Sequence, residues 1–98
     1  MTFEQVVEEM EKSKRWGTNR QPELGVMALA IAQCQSVVGV SVPIADILQI
    51  ELAPLGTEKK TQLPEIFRLM KLVQTAHADV LVSPEGDVDQ RYIRFWWD

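Results

Sequence analysis

The chain is 98 residues long, with 46% hydrophobic and 24% charged residues, a composition typical of one globular domain over residues 1–98 and unlike that of disordered or fibrous chains. Its net charge of −4 opposes a function that depends mainly on neutralising nucleic-acid phosphates, because such affinity comes from clustered lysine and arginine.

The first residues are acidic and contain no continuous apolar run, which argues against a secretory signal. The longest apolar stretch, residues 24–31, is too short to span a bilayer. Cys34 is the one cysteine, so no disulfide can form within the chain, and a lone thiol fits a reducing compartment. We therefore expect a cytoplasmic protein with no membrane segment.

A first helix is predicted from Thr2 to about residue 15. Thr2 and Gln5 have the spacing of a capping box, apolar residues follow at intervals of three and four, and Gly17 is a natural stop. The end of this helix carries a basic segment in which cations surround an aromatic residue: Lys12, Lys14, Arg15, Trp16 and Arg20. We interpret the basic segment as a contact surface for an anionic partner. The alternative is that its cations complement the helix dipole while its tryptophan folds onto the core.

Three further helices are predicted, over residues 22–38, 44–52 and 62–76. The first of them is apolar on nearly every side, which is typical of a helix buried in a core or in an oligomer. It contains Cys34, whose thiol pKa burial is expected to raise. In the last of them Pro64 is expected to lie within the first turn, where proline is tolerated.

The last part of the chain is predicted to form a β-hairpin. From Asp79 onwards the hydrophobic period becomes two, and Pro84 and Gly86 indicate a turn before residues 88–97. Alternation along the second strand puts one set of side chains on one face, Ile93, Phe95 and Trp97, and another set on the opposite face, Tyr92, Arg94 and Trp96.

The second strand of this hairpin is the main predicted contact surface. Tryptophan, tyrosine and arginine are enriched at the energetic centres of protein interfaces, and a strand with a free edge can pair with another chain. We expect four residues to contact a protein partner or a second copy of the chain: Tyr92, Arg94, Trp96 and Trp97. The alternative is that a loop or the first helix covers them.

These elements predict an α+β fold that is mostly helical, with three to four helices and a C-terminal β-hairpin. The order of the elements over residues 22–97 resembles that of winged-helix DNA-binding domains. The resemblance implies a transcriptional regulator whose recognition helix covers residues 62–76 and presents Gln62, Arg68, Lys71 and Thr75 to nucleic acid. The acidic residues Glu85 and Asp87 in the turn of the predicted wing oppose that function.

The chain has no Gly-rich phosphate loop, no nucleophile elbow and no dinucleotide fingerprint, which argues against an ATPase, a kinase or a dehydrogenase. His77 is the only histidine, and a general base needs both a reacting group and an orienting partner. We expect His77 to end a helix and Cys34 to be a core thiol.

Three carboxylates, Glu4, Glu8 and Glu11, share one helical face. All-α diphosphohydrolases hold magnesium with helical acids of this sort, but they need a second acidic cluster, and the second helix offers only Glu23. We therefore expect no cofactor, no metal site and no catalytic residue. A small metal-dependent hydrolase active only as an oligomer is the second alternative.

The sequence thus favours a non-enzymatic protein-interaction or regulatory module. An adaptor, a subunit of a larger complex, and a phage-type or mobile-element inhibitor of a host factor all fit this description. The DNA-binding regulator is the first alternative to it.

Overall fold

The computed structural model describes residues 1–14, 16–17, 21–44, 46–56, 59–76, 78–82 and 91–97; for residues 59 and 79–82 it describes the backbone alone. Helices and strands both contribute, and the fold is α+β. The elements in chain order are α1 (Phe3–Glu11), α2 (Leu24–Ala32), β1 (Val37–Ile44), β2 (Ile47–Leu52), α3 (Lys59–Thr75), β3 (Asp79–Val82) and β4 (Tyr92–Trp96).

The four strands form one antiparallel sheet in the order β1-β2-β4-β3. The register of β2 against β4 is regular from Ile47, which pairs with Trp96, to Glu51, which pairs with Tyr92. The pairing of β1 with β2 contains two irregularities, one between Val37 and Gly39 and one before Ile44. β4 is therefore an interior strand, and β1 and β3 are the outer strands of the sheet.

The core lies between one face of this sheet and the three helices. Side chains of all three helices and alternate side chains of the strands belong to a single buried cluster. Its largest fully buried members are Trp97, Phe95, Met10, Ile31, Leu48, Ile50, Ile66 and Ile93. Because the buried strand residues all point to one face, the helices cover that face alone. Within the described residues no helix is long and apolar enough to cross a membrane.

The predicted start of α1 is confirmed, but the predicted end of the helix is wrong. Thr2 and Gln5 form the capping box in both directions, with distances of 3.1 Å and 2.9 Å. The helix ends at Glu11 rather than near residue 15. Lys14 has a φ of 55°, in the left-handed region, which an α-helix cannot contain.

The prediction of helices over residues 22–38 and 44–52 is wrong for most of its length. α2 ends at Ala32, and residues 37–44 and 47–52 are strands. The apolar positions of 44–52 satisfy a period of two as well as a helical period, since Leu48, Ile50 and Leu52 are all buried. Valine and isoleucine dominate β1, and β-branched residues pack well on a pleated surface.

The prediction of a helix over residues 62–76 is confirmed as α3, although the helix begins earlier, at Lys59. Consequently Pro64 is not in the first turn but lies inside the helix. Proline has no amide hydrogen, so the carbonyl of Lys60 lacks its usual helical donor. Ile66, Leu69, Met70 and Val73 form the buried stripe of this helix.

The winged-helix order is not confirmed. The segment that would supply its middle helix forms strands, so α3 follows a strand pair instead of another helix. β3 and β4 do pair antiparallel, while the predicted turn at Pro84 and Gly86, with Glu85 and Asp87, lies outside the described residues. The two strands are part of a larger sheet and not a terminal two-stranded ribbon.

Candidate functional site

Among the residues that the structure describes, no helix lies on one face of the sheet, and we call this face the open face. It consists of the side chains that alternate with the buried ones on β1, β2 and β4: Ser41, Ile44, Ile47, Gln49, Glu51, Tyr92, Arg94 and Trp96. The strand register arranges them in rows across the sheet, because paired residues of antiparallel strands point to the same side.

The first row of the open face is apolar. Ile44 pairs with Ile47, and Ile47 pairs with Trp96. Ile44 is 45% exposed, and the other two side chains are partly buried. The indole Nε1 of Trp96 donates a hydrogen bond to Oδ2 of Asp46 at 3.1 Å, which holds the ring in one orientation against the sheet.

The second row is polar. Ser41 pairs with Gln49, and Gln49 pairs with Arg94. Nε of the exposed Arg94 donates to Oε1 of Gln49 at 2.8 Å. This bond uses one of the five donors of the guanidinium group and orients the rest of its planar fork. The guanidinium therefore lies beside the apolar row with part of its conformational freedom already lost.

The third row joins an aromatic ring to a carboxylate. Tyr92 is 40% exposed and pairs with Glu51. Oε1 of Glu51 lies 3.7 Å from a terminal nitrogen of Arg91. On the other side of Glu51 is Gly39, where an added Cβ would lie 3.0 Å from Oε2 of Glu51 and 3.3 Å from its Cβ. The Glu51 side chain therefore lies directly over the glycine.

An open depression of about 390 Å³ lies where the third row reaches the edge strand β1. Gly39 supplies no side chain there, so the surface is low between Tyr92 on one side and Met1 and Glu9 on the other. The depression is lined by Met1, Glu9, Val38, Gly39, Val40, Ser41, Gln49, Glu51 and Tyr92.

The structure contradicts one expectation about the last strand and confirms another. β4 is hydrogen-bonded to β2 on one side and to β3 on the other, so the expectation of a free strand edge there is wrong. The predicted division of its two faces is confirmed, since Ile93, Phe95 and Trp97 are at most 1% exposed. Contact through this strand is therefore limited to the open face.

Trp97, predicted as a partner contact, lies in the core. Its Nε1 donates to the carbonyl oxygen of Ala76 at 2.9 Å, and its backbone N–H donates to the carbonyl of Asp46 at 2.9 Å. The ring of Trp16 is nearly perpendicular to it, at 82°, with the two centroids 5.3 Å apart. The Trp97 side chain is therefore enclosed by the protein's own residues.

The basic segment of residues 12–20 is only partly available for contact. Lys12 forms an ion pair of 2.7 Å with Glu9, which raises the pKa of its ammonium group, and Lys14 is exposed. Trp16 is half-buried against the core and donates from Nε1 to the carbonyl of Pro22 at 2.8 Å. Arg15 and Arg20 lie outside the described residues.

The residues assigned to nucleic-acid contact do not form one surface. Arg68, Lys71 and Thr75 are exposed along one side of α3. Gln62 instead accepts a hydrogen bond of 3.1 Å from the backbone N–H of Gly56, which fixes the chain before the helix. Arg68, Lys71 and Thr75 line an apolar hollow together with Leu72.

Cys34 follows α2 and is 2% exposed. Burial raises the pKa of its thiol to about 11, and the neighbouring Glu65 acts in the same direction. The thiolate, which is the nucleophilic form, is therefore disfavoured at neutral pH. His77 lies outside the described residues, among which no group of three or more histidine, cysteine, aspartate or glutamate side chains has the arrangement of a metal site.

Comparison of the chain with protein-family models, with curated proteins and with solved structures finds no match.

The open face also contains residues that the sequence does not single out as contacts: Ile44, Ile47, Gln49 and Glu51. The predicted helix over residues 44–52 contains them, and side chains on a helix cannot align with those of the last strand. The signal that would have found them is the period-two alternation of residues 47–52.

Proposed function

We propose that the protein is a non-enzymatic protein-interaction module and that the open face is the surface that binds its partner. The observation that carries this proposal is that the helices cover one face of the sheet, while the other presents Tyr92, Arg94 and Trp96 in register. A solvated sheet face is ordinarily polar. This one has an apolar row beside an arginine, a composition enriched at the centres of interfaces.

The hydrogen bonds of the open face also support binding. Gln49 holds Arg94, and Asp46 holds Trp96, before any partner arrives. Side chains that are already ordered lose less conformational entropy on association, and each immobilised long side chain otherwise costs about 0.5–1.5 kcal/mol. Charges on and beside the face are balanced, since the carboxylates of Asp46 and Glu51 accompany the cations of Arg91 and Arg94. A partner with both apolar and polar contacts therefore fits better than a polyanion.

Position-specific photo-crosslinking tests this proposal. A benzoylphenylalanine replaces Tyr92 in one variant and Phe67 in the other, in cells that produce the protein. The two side chains are matched, since both are aromatic and both are 40% exposed, but Phe67 is on the helical side of the molecule. We expect position 92 to give a discrete protein adduct that position 67 does not give.

The identified partner is then purified, and its affinity is measured by calorimetry. Arg94→Ala and Tyr92→Ser should each weaken binding by about 1–3 kcal/mol, the range of interface hot spots, whereas Phe67→Ser should have no effect. Light scattering shows whether the adduct is a second copy of the chain. The proposal fails if position 92 yields no adduct, or if Phe67→Ser weakens binding as much as Tyr92→Ser.

A further inference from the structure

A second apolar surface lies on the opposite side of the molecule, along α2 and α3. Val26 and Leu29 of α2 are 60% and 53% exposed, and Leu72 of α3 is 48% exposed. The nine residues of α2 include no polar side chain. A core helix needs one apolar face, so the outward apolar side chains of α2 are not explained by folding.

Two hollows lie on this surface, one between the two helices and one along α3. The hollow between the helices has a volume of about 60 Å³, and among its lining residues are Ala30 of α2 and Leu72 of α3. The other, of about 180 Å³, is lined by Arg68, Lys71, Leu72 and Thr75. Arg68 and Leu72 line both hollows, so the two are adjacent, and we call them together the helical groove.

The charge of the helical groove is opposite to that of the whole chain. Two cations, Arg68 and Lys71, and one carboxylate, Glu65, line the two hollows. That carboxylate already accepts a hydrogen bond from the backbone N–H of Gln35, and the hydroxyl of Thr75 donates to the carbonyl of Leu72 at 2.7 Å. The aliphatic stems of Arg68 and Lys71 wall the second hollow, so their charged ends rim an apolar site.

The groove also restricts the backbone of its occupant. Its lining side chains come from α2, from the two residues directly after α2 and from α3, and none comes from a strand, so it offers no strand edge. A segment that binds there must satisfy its own amide and carbonyl groups, which a helix does. A second copy of this chain does not fit, because the apolar side of its acidic helix α1, formed by Val6 and Met10, is buried in its own core.

We infer that the helical groove binds an acidic amphipathic helix of another protein, whose apolar side chains enter the two hollows and whose carboxylates pair with Arg68 and Lys71. This surface is separate from the open face, and the two bind independently of one another.

The test uses a fluorescein-labelled peptide of about four helical turns, with leucine at every third or fourth position and glutamate on both flanks. A second peptide has glutamine in place of each glutamate. Fluorescence anisotropy should show saturable binding of the glutamate peptide, with an affinity about tenfold or more above that of the glutamine peptide, which corresponds to about 1.4 kcal/mol. High salt should reduce this difference.

Two variants and one control locate the site. The double variant Arg68→Glu with Lys71→Glu should weaken binding of the glutamate peptide about tenfold or more. Leu72→Gln should weaken binding of both peptides. All three positions are exposed, and circular dichroism verifies that each variant is folded. Lys60→Glu is the matched control, because it reverses an exposed charge of α3 that does not line either hollow.

Several outcomes would overturn the inference. The helical groove would not be a specific binding site if the two peptides bound with equal affinity. The same conclusion would follow if Lys60→Glu weakened binding as much as the combined Arg68→Glu and Lys71→Glu variant. Stronger binding to anionic lipid vesicles or to a labelled DNA duplex would replace the helical partner with a membrane or with nucleic acid. Tyr92→Ser should keep its affinity for the peptide, and this distinguishes a failure of the helical groove from a failure of the open face.

Discussion

Trp97 is the residue whose substitution most directly tests the packing of the sheet against the helices. Its side chain is 1% exposed and is the largest fully buried one among the described residues. It contacts two other elements, through a hydrogen bond to Ala76 after α3 and through the Trp16 ring. Trp97→Ala therefore removes a link between the last strand, the end of α3 and the segment after α1.

The expected cost is large for a chain of this size. Replacing a buried tryptophan by alanine costs about 3–5 kcal/mol of unfolding free energy through lost transfer energy and a residual cavity. Trp97→Phe keeps most of the volume but loses the bond to Ala76, so it should cost about 1–2 kcal/mol. Because a small domain has a total stability of about 5–15 kcal/mol, Trp97→Ala should leave a marginally folded protein.

Urea unfolding followed by far-ultraviolet circular dichroism measures these differences without depending on tryptophan fluorescence. The midpoint should fall while the slope is unchanged, since a changed slope would indicate a different unfolded or native state. Trp96→Ala is the matched control, because the neighbouring side chain is on the open face and is bonded to Asp46. It should cost about 1 kcal/mol. The packing described here is refuted if Trp97→Ala costs less than about 1 kcal/mol or no more than Trp96→Ala.

Two further predictions concern the thiol and the proline. Because burial raises the pKa of Cys34 from 9.0 to about 11, the folded state holds the proton more tightly. Its contribution to stability is complete below pH 9.0 and is lost as the pH rises towards 11. Urea unfolding across this range should show a decline that Cys34→Ala reduces, and an unchanged decline in that variant would contradict the assignment. Pro64→Ala should restore the helical bond to the carbonyl of Lys60 and raise stability by about 1–3 kcal/mol, measured by calorimetry; an unchanged unfolding temperature would show that the proline is not strained in α3.

Prediction from the sequence succeeded where the signal was local. The capping box at Thr2 depends on residues three positions apart, and the stripe of α3 depends on neighbours within two turns, so both are visible along the chain. The division of residues 92–97 between two faces is local for the same reason. None of these signals requires knowledge of a partner element.

Prediction failed over residues 37–52, where the apolar residues fit two periods. Ile44, Ile47, Leu48 and Leu52 satisfy a helical spacing, whereas Leu48, Ile50 and Leu52 satisfy a strand spacing. The choice between them was made by pairing with β4, which is more than 40 positions further along the chain. The abundance of valine and isoleucine was the local signal that favoured strands.

The open face depends on this pairing, and the helical groove depends on α2 and α3 becoming neighbours. The sequence by itself determined that Tyr92, Arg94 and Trp96 share one side of a strand, and that Arg68, Lys71 and Thr75 share one side of a helix, because side-chain direction follows from the backbone period. Only the tertiary structure decided that the strand is interior, that Trp97 is buried, and that Ala30 lies across a groove from Leu72. Those facts depend on which elements become neighbours, and burial of the common core, rather than any local preference, selects that arrangement.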